Sequence, residues 1–145
     1  MDPNPQTRSA LFQAVTSSPF LVRYLWADEP VSAIAGAANG KVAVAGTPHG
    51  RVLRWDIQTG ARTEVARLRG QVDSVATSAD GNTIAAAAGS TAVLWSRQGQ
   101  PQYMPIPPGQ RADLAAVSPS GRVIVMHSQV GEDADTSGAI TVLDR

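Results

Sequence analysis

A ten-residue stretch that occurs three times decides the fold of this chain. Residues 31–40 read Val-Ser-Ala-Ile-Ala-Gly-Ala-Ala-Asn-Gly and align without gaps on residues 72–81, Val-Asp-Ser-Val-Ala-Thr-Ser-Ala-Asp-Gly. Residues 112–121, Ala-Asp-Leu-Ala-Ala-Val-Ser-Pro-Ser-Gly, form a third copy. The copies end 41 and 40 residues apart, at Gly40, Gly81 and Gly121. A period near 40 residues is typical of folds built from repeated small sheets.

Two further apolar runs follow each copy, with turn residues between them. The second run covers residues 42–45, 84–88 and 123–126. The third run ends in an aromatic residue or leucine and one polar residue, at Trp55-Asp56, Trp95-Ser96 and Leu143-Asp144. Short strands about ten residues apart, separated by Asn-Gly and Asp-Gly turns, predict an all-β fold. Four strands in each unit of about 40 residues predict β-propeller blades.

The predicted organisation is a short N-terminal helix over residues 1–18 and a propeller segment over residues 20–145. Asn4 is a suitable N-cap, and Pro5 suits the first helical position. The propeller segment divides into a lone outer strand, two complete blades and a partial blade, at residues 20–25, 31–66, 72–106 and 112–145.

These twelve predicted strands amount to three blades, and propellers typically have about 4–8. An open arc would leave strand edges and one sheet face unpaired. Two interpretations are therefore open. The chain is a segment of a longer propeller, which we favour, or several chains join into one ring, in which two copies would give six blades.

The composition excludes several classes of function. Twelve basic and twelve acidic residues give a net charge of zero, which removes the positive field that nucleic-acid and anionic-membrane binders use. The absence of cysteine excludes disulfides, thiolate metal sites and thiol nucleophiles. The sequence has no apolar run near the ~20 residues of a membrane span and no signal-peptide pattern at its start. We therefore expect a cytoplasmic protein with no nucleic-acid or membrane partner and no cofactor.

Residues 20–145 resemble WD-repeat β-propeller blades, and the best-matching stretches are residues 54–60, 74–81 and 118–121. The start of the chain is similar to a junction found in large bacterial signalling proteins. There, a helical segment downstream of a STAND-type NTPase or a Ser/Thr kinase enters a WD-repeat propeller. This resemblance implies a protein-interaction scaffold or sensor region in a bacterial multidomain signalling or defence protein.

The sequence departs from the WD-repeat pattern in one respect that affects the blades. The Gly-His dipeptide that usually precedes the first strand of a blade is missing from all three repeats. His49 lies close to the position, in the turn before the third strand, where WD repeats usually have an aspartate, and a histidine there does not restore the missing hydrogen bonds. The buried Asp–His–Ser–Trp hydrogen-bond network of strict WD repeats therefore cannot form, and we expect degenerate, closely packed blades.

Loops at the ends of the blades are expected to carry the function, because the blades themselves are scaffold. Connections between blades and turns between second and third strands place one set of polar and aromatic residues on one face. The candidate contacts to a protein partner or to further propeller blades are Trp26, Asp28, Glu29, His49, Arg51, Arg69, Arg111, Glu132, Asp133 and Asp135. Tryptophan and arginine are enriched among residues that anchor protein interfaces. Packing of Trp26 over a neighbouring strand end is the alternative for that residue.

The acidic loop over residues 132–138 also allows a calcium site. Its spacing fits an EF-hand-like loop with ligands at Asp133, Asp135 and Ser137 and a carboxylate at Asp144. However, Asp144 stands where a bidentate glutamate is usual, and the flanking segments are predicted strands. An elongated, solvated loop is therefore the favoured interpretation.

Catalysis has little support in the sequence. There is no Gly-x-Ser-x-Gly elbow, and neither His49 nor His127 has an obvious acidic partner nearby in sequence. We therefore expect a non-catalytic interaction module. A metal-dependent or enzymatic propeller and a purely structural, self-assembling repeat are the alternatives.

Overall fold

The computed structural model describes residues 23–129 and 138–143, and within these ranges the chain forms eleven β-strands and no helix. The first sheet contains β1 (Ala33–Gly36), β2 (Val42–Gly46), β3 (Arg51–Asp56) and β4 (Arg62–Arg67). The second sheet contains β5 (Ser74–Thr77), β6 (Thr83–Ala88), β7 (Thr91–Ser96) and β8 (Gln102–Pro105). The third sheet contains β9 (Gln110–Val117), β10 (Val123–Gln129) and β11 (Gly138–Leu143).

The prediction of an all-β fold built from repeated antiparallel sheets is confirmed. In the first two sheets every strand pairs with the next along the chain, in the orders β1-β2-β3-β4 and β5-β6-β7-β8. The third sheet has three described strands in the order β11-β10-β9. The predicted turn glycines Gly40, Gly81 and Gly121 have φ values of 70°, 73° and 89°, a backbone conformation that side chains with a Cβ rarely adopt.

The predicted lone strand over residues 20–25 is not formed in its described part. Residues 23–27 adopt no regular secondary structure, and Leu25 and Ala27 instead pack with Ala45, Leu53 and Trp55 of the first sheet. Leu25 and Ala27 are thus covered by contact with a sheet face, which does not require a strand partner. Residues 20–22 and the predicted helix over residues 1–18 lie outside the described residues.

The second sheet lies between the other two, and its strand β6 is buried along its whole length. Alternate residues of a strand point to opposite faces. Ile84, Ala86 and Ala88 accordingly belong to the cluster shared with the first sheet. Ala85 and Ala87 belong to the cluster shared with the third sheet. Small alanine side chains on both faces allow neighbouring sheets to approach closely, which accounts for the alanine-rich second run.

The first two sheets approach closely at Gly46, at the end of β2. A Cβ atom added to this residue would lie 2.3 Å from Val72 Cγ1 and 3.2 Å from Val75 Cγ1. At the same junction the Ser32 hydroxyl donates a hydrogen bond of 2.6 Å to the Val72 carbonyl oxygen. The absence of a side chain at position 46 is therefore a packing requirement.

We expect Gly46→Ala to lower the free energy of unfolding by about 1–3 kcal/mol, the usual cost of overpacking a core. The matched control is Gly36→Ala in β1, where nothing lies within 4 Å of the added Cβ. We expect this control to leave stability unchanged or to raise it by up to about 1 kcal/mol. Urea unfolding followed by tryptophan fluorescence measures both variants. Equal destabilisation by the two substitutions would contradict the close approach at Gly46.

Candidate functional site

One end of the sheets carries the connections between sheets and the turns between the second and third strands, and we term it the crossover end. Backbone hydrogen bonds tie each connection to a turn. Leu68 N donates to the Gly50 carbonyl oxygen at 2.7 Å, and Val72 N donates to the Thr47 carbonyl oxygen at 3.0 Å. Side chains on these loops are therefore carried by a fixed backbone frame, as an interaction site requires.

Glu29 joins the segment before β1 to the first sheet at this end. Its carboxylate lies 2.6 Å from His49 Nδ1 and 2.8 Å from Arg51 Nη1. The Glu64 carboxylate lies 2.9 Å from Arg51 Nε and 2.9 Å from Arg67 Nε. We term these five residues the Glu29 cluster. The structure thus brings together the predicted residues Glu29, His49 and Arg51. Glu64 and Arg67 on β4 were not predicted, because no sequence motif marks them.

Opposing effects set the pKa of each carboxylate in the Glu29 cluster. Partial desolvation raises the pKa of Glu29, but hydrogen bonds from His49 and Arg51 outweigh it, and the pKa lies below its usual value. The hydrogen bond from Arg67 is the main reason why the pKa of Glu64 is also lowered. Both carboxylates are therefore ionised at neutral pH and form ion pairs with Arg51 and Arg67.

A second set of contacts anchors residues 23–28 on the first sheet. Arg62 Nη1 lies 2.6 Å from Asp28 Oδ2 and donates to the Trp26 carbonyl oxygen at 2.9 Å. Arg23 Nη2 donates to the Gln58 carbonyl oxygen at 3.0 Å. Asp28 has a φ of 64°, in the left-handed region where aspartate is enriched several-fold over most residues. Polar contacts thus hold this segment without strand pairing.

Trp26 lies on this anchored segment and is 53% exposed. Its side chain lines a cleft of about 430 Å³ together with Tyr24, Trp55 and Arg62. Tyrosine, tryptophan and arginine are the residue types that most often dominate protein interfaces. The structure therefore places Trp26 where a partner can reach it.

Arg69 and Arg111 meet in another cleft at the crossover end, which we term the Arg69–Arg111 cleft. It has a volume of about 320 Å³ and is lined by the connection before β5, the β6–β7 turn and the start of β9. Gly89 N donates to the Ala112 carbonyl oxygen at 3.0 Å, and Ala112 N donates back to that of Gly89 at 2.7 Å. This pair of bonds fixes the turn against β9.

Several predicted blade positions have structural roles away from this end. Trp55 is buried in β3, and the Asp56 carboxylate accepts backbone hydrogen bonds from Gln58 and Thr59 at 2.9 and 3.0 Å. Trp95 packs against the cluster between the first two sheets. Leu143 packs against the cluster between the second and third sheets.

The predicted acidic loop lies outside the described residues. This applies to all of its candidate contacts and calcium ligands, Glu132, Asp133, Asp135, Ser137 and Asp144. Within residues 23–129 and 138–143, no group of three or more histidine and acidic side chains is placed to hold a metal ion. None of these described residues forms a helix long and apolar enough to cross a membrane.

Comparison with solved structures relates this architecture to β-propellers. The chain is similar to the β-propeller domain of Cps50 (Swd1) from Myceliophteria thermophila, with a TM-score of 0.62 at 15% sequence identity. The match covers 86% of this chain and 42% of that one, so the chain spans less than half of its neighbour's length. No protein-family model matches the sequence, and no curated protein sequence does. The fold is therefore that of propeller blades.

Removing the charge of Glu29 tests the anchoring of the segment before β1. We expect Glu29→Gln to speed amide hydrogen exchange several-fold in residues 24–30, because Arg51 and His49 lose their shared anionic partner. Exchange in β2 and β3 should not change. Hydrogen exchange followed by mass spectrometry measures both regions. The matched control is Asp73→Asn, which removes a carboxylate bonded to Arg111 and should leave residues 24–30 unaffected.

The difference in exchange rate between the wild-type protein and Glu29→Gln should depend on pH. Because the pKa of Glu29 is lowered in the folded state, its ion pairs are fully formed above the ordinary pKa of a glutamate and are lost as pH falls through the lowered value. Exchange rates of the wild-type protein and Glu29→Gln should therefore differ at neutral pH and converge only when pH falls below the lowered pKa of Glu29. A difference that persists into strong acid would show that charge is not what anchors the segment.

Proposed function

We propose that this chain is a non-catalytic protein-interaction module that recognises its partner through the crossover end. The proposal rests on one observation. Charged side chains from separate connections come together on the hydrogen-bonded backbone of the crossover end. His49 and Glu29 are 20 residues apart in sequence, and Arg111 and Asp73 are 38 apart. Arginine side chains with fixed orientation beside an open cleft are suited to binding a protein surface.

The chemistry of the Glu29 cluster supports binding over catalysis. A carboxylate bonded to an imidazole can orient a base in hydrolases. In the described part of the chain, however, His49 is bonded to Glu29 and to no serine or threonine hydroxyl. The same carboxylate is also shared with Arg51. The pair is therefore suited to hold the chain in place.

The proposal also covers the kind of protein in which this chain acts. We propose that the three sheets are the first blades of a degenerate WD-repeat propeller. The module would then act in the cytoplasm as the sensor or scaffold region of a bacterial multidomain signalling or defence protein. The likeness of residues 54–60, 74–81 and 118–121 to WD repeats supports this setting. The extent of the propeller neighbour beyond this chain is consistent with further blades.

Selection from a random displayed-peptide library on the immobilised full chain tests the interaction function. Affinities of the selected peptides are then compared for the wild-type protein, His49→Ala, Arg69→Ala and the control Arg97→Ala. Arg97 follows β7 at the opposite end of the sheets and is likewise exposed. We expect a loss of about tenfold or more in at least one crossover-end variant, as at interface hot spots, and no change in the control. Equal affinities for all four proteins would contradict the proposal.

Self-assembly is a second candidate function, and the outer side of the third sheet favours it. Leu114, Ile140 and Val142 are 45%, 63% and 54% exposed. Leu114 and Ile140 both pair with Met126, and Val142 follows Ile140 by two residues, so all three lie on one side. The other side of this sheet packs on the second sheet through Ala115, Val123 and Val125. We propose a second copy of the chain as the occupant of the exposed side.

Light scattering over a concentration series tests this assembly. We expect the mass to rise from 15.1 kDa towards an integer multiple, and we expect Ile140→Glu to abolish the rise, because a buried carboxylate without a partner is costly. The control is Val31→Glu, another exposed aliphatic residue away from this side. A monomer at every concentration, or equal assembly by both variants, would contradict the self-assembly function.

A further inference from the structure

We propose that the Arg69–Arg111 cleft binds a carboxylate group of an acidic peptide segment. This inference rests on the proposed interaction function, because it names the chemistry of the partner at the same end of the sheets. It is carried by the shape of the cleft, the geometry of its two guanidinium groups and its charge balance.

The cleft has a defined shape because three fixed pieces of backbone surround it. Residues 69–73 form one wall, residues 88–90 form another, and Arg111 lies at the start of β9. The paired backbone bonds between Gly89 and Ala112 hold the second wall against β9. A volume of about 320 Å³ is at the lower end of ligand pockets, which are typically about 300–1,000 Å³. The space suits one or two acidic side chains of a larger partner.

Arg111 is oriented for a ligand by a carboxylate of this chain. Its Nη2 donates a hydrogen bond of 3.0 Å to Asp73 Oδ2. The Asp73 side chain is 18% exposed and that of Arg111 is 51% exposed, so the positioning group is mostly covered while the guanidinium remains accessible. A guanidinium has five N–H donors in a rigid plane. One donor bonded to Asp73 leaves a further edge of Arg111 for a bidentate contact with a second carboxylate.

Arg69 supplies a second guanidinium to the cleft. It is exposed, and no ion pair joins it to any residue in the described part of the chain. Gln71 and Ser90 also line the cleft and bring an amide and a hydroxyl donor. The side chains of this site therefore offer mainly hydrogen-bond donors, and the oxygens of a carboxylate can accept hydrogen bonds from them.

The charge balance of the cleft differs from that of the Glu29 cluster. Arg51 and Arg67 in the Glu29 cluster are both paired with Glu64, and Arg51 also pairs with Glu29. Among the described residues that line it, the Arg69–Arg111 cleft has two arginines and one carboxylate, that of Asp73. An excess of positive charge among these residues favours an anionic ligand.

Two features favour a peptide carboxylate over a nucleic acid. None of the described residues that line the cleft has an aromatic side chain on which a base could stack. The net charge of zero for the whole chain gives no long-range attraction to a polyanion. Short-range, bidentate pairing with individual carboxylates is the recognition that this arrangement supports.

Fluorescence anisotropy with a fluorescein-labelled hexaglutamate peptide tests the site on the full chain at low salt. We expect saturable binding that weakens about fivefold or more in Arg69→Gln and in Arg111→Gln, as expected when a charge-assisted hydrogen bond is lost. The matched control is Arg97→Gln at the opposite end, which should bind like the wild-type protein. Urea midpoints equal to that of the wild-type protein show that a variant remains folded.

Other outcomes would overturn the inference. One is equal binding of hexaglutamate by the wild-type protein and both cleft variants. Another is a loss of binding in Arg97→Gln as large as that in Arg69→Gln and Arg111→Gln. Competition by free glutamate or inorganic phosphate at the same concentration of anionic groups would assign the cleft to free anions. Stronger competition by a thymidine hexanucleotide would assign it to nucleic acid. If displayed peptides require the crossover end but hexaglutamate does not bind, this inference fails and the proposed function stands. If no displayed peptide requires that end, the proposed function fails first.

Discussion

Close packing of small side chains between successive sheets is the constraint on which the rest of this structure depends. Strand β6 is buried on both faces, with Ala86 turned to the first sheet and Ala87 to the third. Gly46 leaves room for Val72 at the junction of the first two sheets. Because the sheets are thin and close, the connections between them are short, and their backbone groups can bond directly to the turns they cross.

Side-chain contacts also join the first two sheets across their junction. The Ser32 hydroxyl bonds across the first junction to the Val72 carbonyl oxygen. Arg54 spans the same junction, with its guanidinium 6.0 Å from the centre of the Trp95 ring and its Nε donating to the Gly81 carbonyl oxygen at 3.4 Å. Dense packing is the main requirement of this arrangement of sheets, and each polar bridge contributes modestly.

The same frame produces two kinds of charged group at one end of the molecule. In the Glu29 cluster the charges are mutually paired, so their effect is to fix the segment before β1 on the first sheet. In the Arg69–Arg111 cleft the positive charge exceeds the negative, and the groups are open to a ligand. This division explains how a chain with no net charge can still present a local anion-binding surface.

The sequence by itself determined the repeat period, the all-β fold and the turn glycines, because strand alternation and positive φ are local properties. It also indicated the crossover-end loops as the candidate site, since their place between strands follows from strand order. Only the tertiary structure paired Glu29 with His49 and Asp73 with Arg111, because those contacts depend on where each connection crosses a turn. The described part of the predicted strand at residues 20–25 does not form, again because the outcome depends on tertiary contacts. Leu25 packs on an apolar sheet face, and a strand needs a partner edge, which a local sequence pattern does not determine.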